Sequence, residues 1–185
     1  DRSVSRGLGD VYKRQAQEEG NNAAVMIFTR AKLAEGYHAE NYMWAYNNID
    51  TPADERFDRM LMTARREFAA NADWLTFCRS AADIRAAVEA GKAAALLSIE
   101  GAELLPDRPD ALDYVYDAGV RLITLTWNYR SRYGCSSAVD QNEGLTELGK
   151  QLVCDCGEKG ILVDVSHLSD RGFWDVCEAT DRPFV

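Results

Sequence analysis

Histidine is nearly missing from this chain of 185 residues; His38 and His167 are the two it has. Chemistry that depends on imidazole therefore has two places to reside. No Gly-x-Gly-x-x-Gly follows any apolar run, which weakens a dinucleotide-binding reading. No Cys-x-x-Cys pair occurs, and five cysteines, an odd number in a mid-sized chain, give no disulfide framework. No apolar run approaches the roughly 20 residues that a membrane helix needs. Basic residues are outnumbered as well. The 21 Lys and Arg against 30 Asp and Glu leave a formal charge of −9, which disfavours a nucleic-acid phosphate backbone as a partner.

What is present is a globular composition, 46% hydrophobic and 28% charged, enough for one domain with a substantial core. The expectation is a soluble, acidic protein of a reducing compartment, the cytoplasm. The first fifteen residues differ from the rest: they carry four basic and two acidic residues and show no sustained helix or strand period. They lack the apolar stretch of a signal peptide. This segment, 1–15, resembles a leader produced by adapter read-through in translated sequence assemblies, and the fold is assigned to 16–185. At the other end, Arg182-Pro183-Phe184-Val185 reads as a turn followed by the first residues of a strand. The chain is expected to be a domain cut at both ends.

Between the ends, strand and helix alternate. Ala23–Phe28 and Trp74–Cys78 read as short strands, and Pro52–Asn71 as a helix carrying Phe57, Met60, Leu61, Ala64 and Phe68 at helical spacing. Ser80 with Asp83 marks a helix start, and Gly91 its stop. Ala93–Ile99 is a continuous apolar run of the kind covered on both faces in a parallel sheet. A helix at Pro109–Ala118, a strand at Val120–Thr126, a polar loop at Trp127–Glu143 and a helix at Leu145–Cys156 follow. Ile161–Val165 then reads as a buried strand and Ser169–Thr180 as a helix. Serial βα units argue a parallel α/β architecture. Polar residues gather at the strand C-termini, as Glu100, Thr126 with Asn128, and Ser166 with His167, and in a (β/α)₈ barrel those ends share one face. A partial (β/α)₈ barrel of four to five units is the expected fold.

Glu100 ends the run Ala-Ala-Ala-Leu-Leu-Ser-Ile, where a carboxylate is costly unless paired, hydrogen-bonded or metal-bound; a solvated loop glutamate is the competing account. His167 ends another such strand and is a candidate ligand, or else a hydrogen-bonded rim histidine. Asp164 alternates with apolar neighbours and either points inward or supports a ligand from behind. His38 reads as structural or surface, and the aromatics at Tyr42–Tyr46 as packing, or as pocket lining if they stand near a barrel mouth. Cys154 and Cys156, roughly 200° apart on a helix, cannot share an ion.

Ser98-Ile99-Glu100-Gly101, Leu122 to Asn128, Gly144-Leu145-Thr146 with Gly149, and Leu162 to Ser169 occur in that order. Together they resemble the membrane dipeptidase (renal dipeptidase) family of zinc peptidases, in a bacterial-type version, over roughly Ala16 to Val185. That resemblance implies a (β/α)₈ barrel of the metal-dependent hydrolase type, holding two zinc ions, hydrolysing dipeptides and assembling as a homodimer. It implies that Glu100 bridges the two metals and that His167 binds the second. It places substrate contacts at Trp127 and Asn128, with Trp127 standing where the family often has a histidine. The family's His-x-Asp, its second zinc histidine and a later proton-handling aspartate have no counterpart here, so no catalytic residue is assigned. Two ligands do not close a zinc site, which normally takes at least three protein groups, and the isolated chain is expected to be inactive. Two other readings stay open: another metal-dependent amide or ester hydrolase barrel, and a non-catalytic barrel that binds peptides.

Overall fold

A computed structural model describes residues 52–106 and 108–185. The strand at Ala23–Phe28, the leader, His38 and the aromatics at Tyr42–Tyr46 lie outside the described residues. The chain divides into two compact units, 1–76 and 77–185.

In the first unit, helix α1 (Ala53–Ala70) follows Pro52 and buries Leu61, Ala64 and Phe68. Those positions fall three or four apart, as a single buried stripe requires. Asn71 ends it, its side-chain amide donating to the Glu67 carbonyl at 2.8 Å. Strand β1 (Leu75–Phe77) crosses the boundary between the units.

The second unit opens with α2 (Ala81–Glu89), capped by the Ser80 hydroxyl accepting from the Asp83 N–H at 3.1 Å. The single apolar run expected at Ala93–Ile99 is two strands, β2 (Ala93–Ala95) and β3 (Leu97–Glu100), interrupted at an exposed Leu96. A single 3₁₀ turn, Ala102–Leu104, leads towards α3 (Ala111–Ala118), which stops at a left-handed Gly119. Then come β4 (Val120–Thr124), α4 (Glu147–Lys159), β5 (Leu162–Asp164) and α5 (Asp170–Ala179). Thr146 and Ser169 cap α4 and α5 through their hydroxyls, as the side chains of good N-cap residues do.

Strands β3, β4 and β5 form a parallel sheet in chain order. Ile99, Ile123 and Val163 are in register and buried. Side chains alternate across a strand, so the next row, Glu100, Thr124 and Asp164, lies on the opposite face, together with Ser98, Leu122 and Leu162. That face is only partly covered, Leu162 being 41% exposed. This corrects the expectation that Ala93–Ile99 is covered on both faces: β3 alternates buried and exposed, whereas the middle strand β4 is buried on both faces at Ile123 and Thr124. The architecture is α/β with a parallel sheet, and the described residues do not close into a barrel. Val185 lies beside β5, its N–H donating to the Val163 carbonyl at 3.0 Å and its carbonyl accepting from the Val165 N–H at 2.8 Å.

Candidate metal centre

Glu100 is the last residue of β3, and the next residue fixes its backbone: the Gly101 N–H donates to the Thr124 carbonyl at 3.1 Å. Gly101 has φ +99°, a conformation that side chains rarely adopt. A methyl group there would also lie 2.6 Å from the Glu103 carboxylate. Glycine at this position thus lets Glu103 fold back over the turn. One oxygen of Glu103 is buried and finds no hydrogen-bond partner among the described residues. Burial, together with the Glu100 carboxylate nearby, raises the Glu103 carboxyl above its ordinary value.

His167 stands three residues beyond β5 in a tight turn, in which the Leu168 N–H donates to the Val165 carbonyl at 3.1 Å. Its φ is +66°, the sole positive φ outside glycine among the described residues. Histidine enters the left-handed region at a cost that surrounding contacts must offset. Those contacts are present. The His167 carbonyl accepts from the Ser137 N–H at 2.8 Å, and Ser136 bridges to Leu168 in antiparallel fashion. The loop that supplies Ser136 and Ser137 is itself anchored. Ser169 Oγ donates to the Glu143 carbonyl at 2.5 Å, and Asp175 accepts from the Leu145 N–H at 2.8 Å and from Arg171 at 2.6 Å.

The imidazole Nε2 of His167 comes to 3.6 Å from Glu100 Oε1. The two residues assigned to metal from sequence are therefore brought together, with side chains 39% and 47% exposed respectively and open to a ligand. Trp127 and Asn128 are not part of that approach. Trp127 is half-buried and packs edge-on against Tyr129 with centroids 5.7 Å apart, and Asn128 is exposed. A carboxylate beside a neutral imidazole is a donor pair that suits zinc. Among the described residues no set of three His, Cys, Asp or Glu side chains is arranged to hold an ion. The pair fits one side of a metal centre and does not complete it.

Cys154 is exposed and Cys156 fully buried on α4, on opposite sides as their spacing requires. Burial pushes the Cys156 thiol up to about 12, the behaviour of an inert packing residue. Two residues of the site escape sequence reasoning. Glu103 gives one faint signal, an acidic residue inside Ala-Glu-Leu-Leu. Thr124 looks like one more strand residue until the register of β3 and β4 puts it opposite Glu100.

The profile of the family described as membrane dipeptidase (peptidase family M19) matches residues 11–185. The chain belongs to this family. A metallopeptidase from Rhodobacter sphaeroides, solved with a phosphinate mimic of the dipeptide L-Ala-D-Ala, is 30% identical with a TM-score of 0.62, over 72% of this chain and 40% of that one. Dipeptidase AC, a metallopeptidase of family M19, is 28% identical with a TM-score of 0.65, over 72% and 41%. A protein of Acinetobacter calcoaceticus, described as an uncharacterized protein in the PQQ-III 3′ region, is 35% identical over 117 residues, 60% of this chain and 37% of its own length. The M19 chain thus spans about two fifths of the length of these relatives. No helix among its described residues is long and apolar enough to cross a membrane.

Proposed function

We propose that the complete protein carrying this chain is a zinc-dependent dipeptidase built on a (β/α)₈ barrel. The observation that carries this reading is the 3.6 Å approach of Glu100 to His167 at the C-terminal ends of a parallel sheet, in a chain of family M19. Zinc would supply a Lewis acid for the scissile carbonyl and a water of lowered pKa. Glu100 would hold it through its carboxylate and bridge two ions, and His167 would hold the second ion. A closed site would need further ligands, since no third His, Cys, Asp or Glu joins the pair among the described residues. Trp127 and Asn128, in the loop that follows β4, are the residues we place against the substrate. Since a related M19 metallopeptidase is solved with a mimic of L-Ala-D-Ala, dipeptides with a D-residue at the carboxyl end belong in the substrate panel. A homodimer in the cytoplasm completes the reading, and the 185-residue chain alone is inactive within it.

The test is hydrolysis of a dipeptide panel by the complete gene product, with and without chelator. Activity is expected to disappear with chelator, return with zinc, and fall at least 100-fold in Glu100→Gln and in His167→Ala. Cleavage that survives in both variants, or is indifferent to chelation, rejects the reading. Appreciable chelator-sensitive hydrolysis by the 185-residue chain rejects its inactivity.

A further inference from the structure

Glu100 and His167 approach each other from the outer strands of the three-stranded sheet, with β4 between them. Two strand spacings amount to about 9.5 Å of backbone separation, yet the side chains meet at 3.6 Å. The residue of β4 in register with Glu100 is Thr124, and the residue of β5 in register with Thr124 is Asp164. The Thr124 hydroxyl donates to Asp164 Oδ2 at 2.5 Å. The other oxygen, Asp164 Oδ1, accepts from the Ser166 N–H at 2.9 Å, two residues along the chain. That second bond is the local turn in which an aspartate caps the backbone just after itself, and it opens the segment that carries His167.

We infer that Asp164 is a positioning residue: one carboxylate ties the His167 turn to the strand that pairs with Glu100, and so fixes the separation of the two metal ligands. The inference deepens the metallopeptidase reading and rests on it for the role of the metal. Glu100 has its own support in the Gly101–Thr124 backbone bond. His167 does not share it. Its left-handed backbone is a local cost, and beside the backbone bonds of Leu125 to Asp164 and of Leu168 to Val165, the Asp164 carboxylate is the side chain that holds the turn from the strand side. Without the carboxylate, the Ser166 N–H and the Thr124 hydroxyl lose their acceptor together. The His167 turn then keeps backbone tethers, from the Leu125 N–H to the Asp164 carbonyl, from the Leu168 N–H to Val165, and on the loop side from Ser137 and to Cys135, but loses its side-chain tie to β4. Asparagine keeps an oxygen for Ser166 and offers Thr124 an amide donor, so position rather than charge is what Asp164→Asn preserves.

The experiment uses the complete gene product and reads two quantities in Asp164→Ala, Asp164→Asn, Thr124→Val and Thr124→Ser. The first is zinc affinity against a competing chelator. The second, on metal-free protein labelled in histidine, is the nuclear Overhauser contact between the His167 ring and the Glu100 γ-protons. Asp164→Ala is expected to weaken zinc 10- to 100-fold, the usual effect of removing support from a ligand, and to lose the contact. Thr124→Val should move both quantities in the same direction by less. Asp164→Asn and Thr124→Ser should stay within threefold of the parent and keep the contact.

Parental affinity and contact in Asp164→Ala overturn the inference. So does an equal loss in Asp164→Asn, which would mean that charge matters and position does not. Should Asp164→Ala fail to fold, parental behaviour of Thr124→Val overturns it instead. A parent protein that binds no zinc rejects the metallopeptidase reading, and the contact in the metal-free variants then decides the positioning role by itself.

Discussion

Single atoms decide most of what happens around Glu100. The Glu103 carboxyl occupies the space that a side chain at Gly101 would need, and it does so with one oxygen that finds no partner among the described residues. Because burial raises its folded value above the ordinary 4.5, the carboxyl binds its proton more tightly in the folded chain than in the unfolded one. Its favourable contribution is complete below the unfolded value and is lost as pH rises through the folded value. Glu103→Gln should therefore be more stable than the parent at pH 7, with the difference closing towards pH 4. Urea midpoints at the two pH values measure this, and a gap that does not change with pH refutes it. Glu100 and His167 stand out in sequence because each ends an apolar run, where an ionisable group needs a reason to be, and the structure brings the two side chains within 3.6 Å. Their mutual distance was not legible. It depends on Asp164 and Thr124, which meet across strands through a register that no local pattern states.

Helix ends were most legible where a cap marks them, at Ser80 and Ser169 through their hydroxyls and at a left-handed Gly119; α4 instead runs from Glu147 to Lys159, later at both ends than the expected Leu145–Cys156. Strands are shorter than their apolar runs. β4 ends at Thr124 within the expected Val120–Thr126, although the Leu125 N–H still donates to the Asp164 carbonyl at 3.2 Å, and β5 covers three residues of the expected Ile161–Val165. The polar loop after β4 was the least legible, because its order comes from distant groups. It closes on α4 and α5 where Gly144 leaves room for the Asp175 carboxylate and Gly149 for the Tyr133 carbonyl. A methyl at Gly149 would overlap that backbone oxygen, whereas one at Gly160 meets nothing but carries the strain of φ +80°. Gly149→Ala is thus expected to cost about 3 kcal/mol, by forced repacking of a backbone contact. Gly160→Ala should cost about 1 kcal/mol, from the conformational term. Equilibrium denaturation ranks them, and the reverse order contradicts the packing described.

At the scale of the whole chain, the alternation of strand and helix made the α/β class readable. Its chain-order parallel sheet is what one arc of a barrel would show, and the closed barrel is proposed for the complete protein. Coverage of the two sheet faces was not readable, because a run such as Ala-Ala-Ala-Leu-Leu-Ser-Ile does not reveal which of its residues meet helices. The structure leaves Leu96, Leu162 and Trp174 at 41%, 41% and 60% exposure. Exposed apolar side chains on and beside a parallel sheet favour self-association. The purified 185-residue chain should bind a hydrophobic fluorescent dye strongly and elute as a mixture of sizes. A monodisperse sample with weak dye binding and a cooperative melt would count against this.

The sheet grows in the same order as the chain: β3, then β4, then β5, each neighbour arriving after one helical crossover. A ribosome delivers residues in that order too, at roughly 5–20 per second. The strand ending in Glu100 is therefore the first to emerge and the first to find a neighbour. Thr124 comes next and fixes the level of the second row. His167 arrives last, several seconds behind the carboxylate it will face, and its turn can set only once Asp164 has reached Thr124. For that interval Glu100 stands at the end of a two-stranded ribbon without His167 opposite it, and the 3.6 Å approach of the two side chains forms as the third strand docks.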